Sequence, residues 1–279
     1  MRHPCHGHRD KWSPRRGGIG GGSIRDGALK PTEWLRPDMP PLDDVEAVFW
    51  DIGGVILDLE SVRRAHREFV SNLVNVHDLG MSTDEALATW RGTVGDYFRE
   101  RDGTAFRPAR EAYARGVESI VGEAIPRSAW LPQFRSVVDA SVRPVPGAPA
   151  AIERLATAAE VRHQGIVSDI DADEGRRILE TLGIRQHLDA VTTSEDVGRT
   201  KPDPAMFETA LAAAGVEPAR AVMVGDRYDH DMAGAAEHGI VTVAHGAEDG
   251  PAVDHRIETP HGLLSLLGVD APADAAGPV

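Results

Sequence analysis

This 279-residue chain is expected to form an α/β fold, a doubly wound parallel sheet carrying an inserted all-helical domain. Three observations carry that expectation. The run Ala47-Val48-Phe49-Trp50 is apolar with β-branched and aromatic members and stops at Asp51 and Gly53-Gly54, which reads as a buried strand ending in a sharp turn. Residues 59–143 show helical spacing and no convincing strand. Beyond residue 149, short apolar runs alternate with stretches of about ten residues at helical period, the rhythm of parallel strands joined by crossover helices.

Taken in order, residues 1–42 are rich in Gly, Pro, Arg and His and bury too little apolar surface to fold, so a disordered tail is expected. His3, Cys5, His6 and His8 lack a scaffold there, and Met39 is an alternative start just before the ordered pattern. The core is expected over 43–58 and 144–268. Between its halves lies a helical domain at 59–143, its first helix reading through Val62, Ala65, Phe69, Leu73 and Val76. Ser82-Thr83-Asp84-Glu85 then supplies a capping box for a helix through Ala86, Leu87, Trp90, Val94 and Phe98. Further helical patterns cover 108–122 and 126–141, and Arg143-Pro144-Val145-Pro146-Gly147 is the return linker. Helices follow at 149–159, 173–182, 204–214 and 232–237, with strands at 161–167, 190–193, 221–224 and 240–244. Residues 269–279 read as a frayed end.

Bulk properties exclude several classes. The net charge is −14, and residues 1–40 alone carry eight basic against four acidic side chains, so the remainder is strongly acidic. Such a surface repels nucleic-acid backbones, and no nucleic-acid partner is expected. No run of about 18 apolar residues is present to span a bilayer, and no secretory leader is recognisable. One cysteine, Cys5, excludes an intrachain disulfide and suits a reducing compartment, so a cytoplasmic location is expected. The sequence carries no signal for oligomeric state.

The chemistry-bearing residues collect where strands are expected to end. Asp51 follows the first strand, Ser168 follows Gly165-Ile166-Val167, Lys201 precedes a helix in Lys201-Pro202-Asp203-Pro204, and Asp226 and Asp231 follow the run ending at Val224-Gly225. In an open parallel sheet these carboxyl ends form the ligand cleft. A carboxylate nucleophile, a hydroxyl, an ammonium and an acidic pair are the parts needed for phosphoryl transfer through an aspartyl phosphate. Asp51, Asp226 and Asp231 are hard oxygen donors suited to Mg²⁺. Glycines at 53 and 54 let the backbone approach an anion so that N–H groups can face a phosphate. Lys201 is one of three lysines in a chain with thirty basic residues, which suits a compact ammonium at a tight site.

These four motifs, in this order, resemble those of the haloacid dehalogenase superfamily, whose members are mostly phosphatases with a Rossmann-like core. The resemblance covers about residues 45–244, and the helical insert sits where that family carries its cap. It implies Asp51 as nucleophile, the Gly53 carbonyl with Asp51, Asp226 and Asp231 as Mg²⁺ ligands, and Ser168 and Lys201 on the phosphoryl oxygens of a small phosphorylated substrate. Hinges are expected near residues 58–59 and 144–147. Of the cap arginines, Arg63, Arg64, Arg67, Arg99, Arg101 and Arg107, most are expected on a solvated face, with any second anionic group of a substrate met by one of them.

One departure matters. Most phosphatases of that family carry a second aspartate two residues after the nucleophile, as general acid and base, and here Gly53 occupies the position. A positioned acid or base is worth roughly 10²–10⁴-fold in rate. Three readings follow: a phosphatase in which Asp58, Asp169 or His230 substitutes or turnover is slow; a 2-haloacid dehalogenase-type hydrolase, which would leave Asp226 and Asp231 unexplained; or a non-catalytic, regulatory binder of phosphometabolites or of a partner protein. Phosphonate cleavage through a Schiff base would need a cap lysine, and residues 57–143 contain none.

Overall fold

The computed structural model describes residues 42, 44–246 and 250–269. The expectations for residues 1–41, including His3, Cys5, His6, His8 and Met39, lie outside the described residues, as do residues 270–279. Strands β1 (Ala47–Trp50), β2 (His163–Ser168), β3 (Ala190–Thr193), β4 (Ala221–Gly225), β5 (Val241–His245) and β6 (His255–Ile257) form one sheet. Every pairing is parallel, and the order is β3-β2-β1-β4-β5-β6.

The pleat of β1 explains its uninterrupted apolar sequence, because alternate side chains face opposite sides and both sides are covered. Val48 and Trp50 enter one apolar cluster with Ile166, Val222 and Val224. Ala47 and Phe49 enter a second with Val167, Ala221 and Met223. The sheet is therefore doubly wound, a Rossmann-like core.

The insert that follows β1 carries four helices, α1 (Leu59–His77), α2 (Thr83–Arg99), α3 (Ala109–Val121) and α4 (Arg127–Ser141). Asp58 caps α1, its carboxylate accepting from the Glu60 and Ser61 N–H groups, and Ser82 with Glu85 forms the capping box of α2. Their inward faces meet in a cluster of rings, with Trp90 stacked on Tyr113 at 5.4 Å and Phe69 edge-on to Phe134 at 5.1 Å. The two connections to the sheet are bonded to each other: the Val145 N–H donates to Ile56 at 2.7 Å and the Asp58 N–H to Arg143 at 2.9 Å.

The remaining helices are α5 (Ala148–Leu155), α6 (Ala172–Thr181), α7 (Ser194–Val197), α8 (Pro204–Ala214), α9 (Ala233–Glu237) and α10 (His261–Leu266). Three elements were not expected from the sequence: α7, β6 and α10. Each spans six residues or fewer, too short for a period to register. Ahead of α9, residues Tyr228–Met232 form a widened helical turn that swings Asp231 back toward β4. Val269, expected in the frayed end, is buried and donates its N–H to Leu264 at 2.8 Å.

The close approach of α2 and α3 depends on Gly116, where an added Cβ would lie 2.3 Å from Trp90 Cδ1. Gly116→Ala is expected to lower the unfolding free energy by about 1–3 kcal/mol in urea titrations. A loss under about 0.5 kcal/mol would mean that Trp90 moves aside freely.

Candidate active site

Strand order reverses at β1, with β2 on one side and β4 on the other, and the cleft opens at the carboxyl ends there. Asp51 follows the last residue of β1, and its N–H donates to the Val224 carbonyl of β4 at 3.0 Å. A cavity of about 310 Å³ at this point is lined by Asp51, Gly53, Ser168, Lys201, Asp226 and Asp231, among others. Segments far apart in sequence thus meet at one place.

At the centre is the Lys201 ammonium, 2% exposed. It donates to Asp51 Oδ1 at 2.7 Å and to the Val167 carbonyl at 2.8 Å, and lies 2.6 Å from Asp231 Oδ1. Burial alone would lower its pKa, but the carboxylates of Asp231, Asp51 and Asp169 outweigh burial and raise it, keeping the ammonium charged. Burial also pushes Asp51 above the ordinary carboxylate range, with Asp231 adding to the effect while Lys201 and a hydrogen bond from Ser168 pull it back. Lys201, expected on phosphoryl oxygens, contacts the Asp51 and Asp231 carboxylates in this structure.

Asp51, Asp226 and Asp231 each offer a carboxylate oxygen within 4.8 Å of the others. Three carboxylates against one ammonium leave an excess of two negative charges. The excess shows in Asp226, whose pKa burial, then Asp51 and Asp231, push up to about 6. An all-oxygen donor set with two uncompensated charges fits a hard divalent cation such as Mg²⁺.

Two glycines make room for the acids. Gly54 adopts φ +73°, and a Cβ there would fall 2.0 Å from Asp226 Oδ2. A Cβ on Gly225 would lie 2.3 Å from that of Asp231. The Gly54 N–H, expected to face phosphate, donates to the Leu57 carbonyl at 3.0 Å, and its carbonyl accepts from His245 Nδ1 at 2.9 Å. Gly54 therefore serves by admitting Asp226, not by offering that N–H. Gly53 is different: an added Cβ would meet Leu59 at 3.5 Å and Asp51 Oδ2 at 3.8 Å, ordinary contacts. A side chain fits where none is present.

A second polar group borders the same cavity. Asp169 accepts from the Lys201 N–H at 2.8 Å and lies 3.2 Å from His230 Nδ1, while His230 Nε2 lies 2.8 Å from the Arg227 guanidinium. Burial raises the Asp169 pKa, but His230 and Lys201 outweigh it and hold the carboxyl below its ordinary value. Asp58 is committed to capping α1. Of the cap arginines, Arg63, Arg64, Arg67 and Arg99 pair with exposed or half-buried acids. Only Arg101 and Arg107 of the six line a cavity beside the site.

A parallel sheet with a carboxylate cluster at its switch point defines a class, the α/β proteins that hold chemistry at their strand ends. The family model described as haloacid dehalogenase-like hydrolase matches residues 45–239, and the chain belongs to that family. A Bos taurus protein named haloacid dehalogenase-like hydrolase domain-containing protein 3 is 40% identical over 116 residues, covering 40% of this chain and 46% of that one. The chain thus spans about half the length of that relative. The glyceraldehyde 3-phosphate phosphatase of Methanothermobacter thermautotrophicus is 26% identical over 207 residues, 73% of this chain and 87% of its own. Among solved structures, a HAD phosphatase from Thermococcus onnurineus matches with TM-score 0.62 at 24% identity, over 82% of this chain and 100% of that one. Among the described residues no helix is long and apolar enough to cross a membrane.

A carboxyl with a raised folded pKa contributes stability below its unfolded pKa and loses it as pH rises through the folded value, here between about 4 and 6. In EDTA at pH 7.5, Asp226→Asn is expected to melt at a higher temperature than the unmodified protein, with the difference shrinking toward pH 4. Mg²⁺ is expected to raise the Tm of the unmodified protein more than that of the variant. Equal Mg²⁺ stabilisation of both would remove Asp226 from the cation site.

Proposed function

We propose that the protein is a divalent-cation-dependent phosphatase of a small phosphomonoester, acting through an aspartyl phosphate on Asp51. The observation that carries this reading is the Asp51, Asp226 and Asp231 cluster, two charges in excess around a single buried ammonium. Dehalogenation expels a halide that needs neither a cation nor an acidic pair, so the cluster favours phosphate. The phosphatase name of the archaeal relative supports the same choice.

In this reading Asp51, Asp226 and Asp231 hold the cation, with the Gly53 carbonyl as a further oxygen donor. When bound, the cation supplies the positive charge that lets a carboxylate approach a phosphate dianion. Lys201 fixes the Asp51 carboxylate through Oδ1 and stays charged throughout. Ser168, buried in the same cavity as Asp51, turns its hydroxyl toward a phosphoryl oxygen when substrate enters. Asp51 attacks phosphorus, one Asp51–phosphorus bond forms as the ester bond breaks, and the alkoxide leaves. Water then splits the aspartyl phosphate, returning inorganic phosphate and the Asp51 carboxylate. Helices α1 to α4, residues 59–143, serve as the cap that excludes water, with the paired connections at residues 56–58 and 143–145 as its hinges.

No acid is available at position 53 to protonate the departing oxygen. Asp58 is bound to its helix terminus, Asp169, held below its ordinary pKa, carries no proton near neutrality, and both ring nitrogens of His230 are engaged, Nδ1 by Asp169 and Nε2 by Arg227. Turnover therefore depends on how well the leaving group departs unaided.

The test is phosphate release in Mg²⁺ from a panel of phosphomonoesters. Asp51→Asn is expected to abolish release, and Gly53→Asp to raise kcat for an alkyl phosphate at least about tenfold. Full activity in Asp51→Asn would reject Asp51 as nucleophile, and no gain in Gly53→Asp would mean that proton transfer does not limit turnover.

A further inference from the structure

A second cavity of about 300 Å³ lies beside the first and shares Leu57, Leu59, Asp169 and Ile170 with it, so the two form neighbouring compartments. Its far wall comes from the helical insert and is dominated by rings: Phe98, Phe106, Tyr113, Phe134 and the His66 imidazole. His66 stacks on Phe134 at 5.8 Å and meets Trp90 edge-on at 4.8 Å. Burial, then Arg91, pushes its pKa down to about 4, so it is neutral at pH 7. Tyr113 is likewise held as the neutral phenol, burial pushing its pKa up. Neither the His66 ring nitrogens nor the Tyr113 hydroxyl has a hydrogen-bond partner among the described residues. Two neutral, unpartnered polar groups in a ring-lined cavity call for a ligand that brings both an apolar face and a hydroxyl.

The charged groups on this wall do not call for a second anion. Arg101 donates to Thr200 Oγ1 at 2.9 Å, and Arg107 lies 3.8 Å over the Tyr97 ring, bonds the Tyr97 carbonyl and pairs with Glu100. Against these two cations the same wall carries Asp169, Asp171 and Glu174. The compartment offers no net positive charge to a carboxylate or a second phosphate.

We infer that the substrate is an aryl phosphate, a phosphomonoester of a phenol, whose ring occupies the compartment between α1, α3, α4 and the sheet and whose hydroxyl substituent meets Tyr113 and His66. The inference rests on the phosphatase reading above and names its substrate class. It joins two independent observations, the ring-lined neutral cavity and the absence of a side chain at Gly53. A phenol has a pKa near 10, whereas an aliphatic alcohol lies close to water at roughly 16. A phenolate therefore leaves without the acid that position 53 lacks. The Asp51–phosphorus bond forms, the phosphorus–phenolate bond breaks, and the phenolate takes its proton from water after departure.

The test compares phenyl, 4-hydroxyphenyl and cyclohexyl phosphate and glyceraldehyde 3-phosphate as substrates of the full chain in Mg²⁺, with Asp51→Asn alongside. The aryl esters are expected to exceed the other two in kcat/KM by at least about 100-fold. Phenylphosphonate, which cannot be hydrolysed, is expected to inhibit at least about tenfold more tightly than methylphosphonate, isolating the ring's binding from its leaving ability. His66→Phe and Tyr113→Phe are each expected to raise KM for 4-hydroxyphenyl phosphate about three- to tenfold while changing kcat little. Equal inhibition by the two phosphonates, or Asp51-dependent turnover of cyclohexyl phosphate or glyceraldehyde 3-phosphate at aryl rates, would overturn the inference and leave the phosphatase reading standing. Absence of Asp51-dependent release from every ester would end both.

Discussion

One buried ammonium holds this site together. An unpaired charge in a protein interior costs several kcal/mol, and a buried pair recovers that only when its geometry is good and its remaining donors are satisfied. Lys201 donates to Asp51 after β1 and to the Val167 carbonyl in β2, and pairs its charge with Asp231 in the turn after β4. Three neighbouring strand ends are thereby tied at the point where the sheet's order reverses. Asp226 lies outside these contacts: burial, then Asp51 and Asp231, push its carboxyl up to about 6, and the cluster suits a dication.

The sheet and the four inserted helices were legible because each carries a period strong enough to read locally. β1 is apolar on both faces, since both are covered, and α2 announces its start with the Ser82 and Glu85 capping box. Short elements were not legible: β6 has three residues and α7 four, and tertiary contact rather than local pattern holds them. Four motifs name the candidate residues that the fold brings together at one cavity, whereas their partners could not be read. Lys201 and Asp51 are 150 residues apart, and nothing in the sequence says that this lysine grips carboxylates before it meets a phosphate.

Glycines carried the subtler information. Gly54 is read from sequence as a turn residue and Gly225 as the end of a strand run, yet their place is set by the carboxylates of Asp226 and Asp231, which occupy the space a Cβ would need. Gly53 is the reverse case, with room for a side chain and none present. The contrast separates a glycine required by packing from one whose absence of a side chain bears on chemistry. Likewise, the sequence marks α1, α3 and α4 as helical patterns without assigning their aromatic positions. Much of that cluster is core, but His66, Tyr113 and Phe134 also wall a cavity that adjoins the nucleophile's.

The central claim is that Asp51 accepts a phosphoryl group beside a cation held with Asp226 and Asp231. The most direct measurement is a crystal structure grown with Mg²⁺ and beryllium fluoride, a mimic of a carboxylate-bound phosphoryl group. The account expects trifluoroberyllate bonded to a carboxylate oxygen of Asp51, with the cation contacted by Asp51, Asp226 and Asp231. An unmodified Asp51, with the fluoride complex elsewhere or the cation bound away from these three carboxylates, would contradict it.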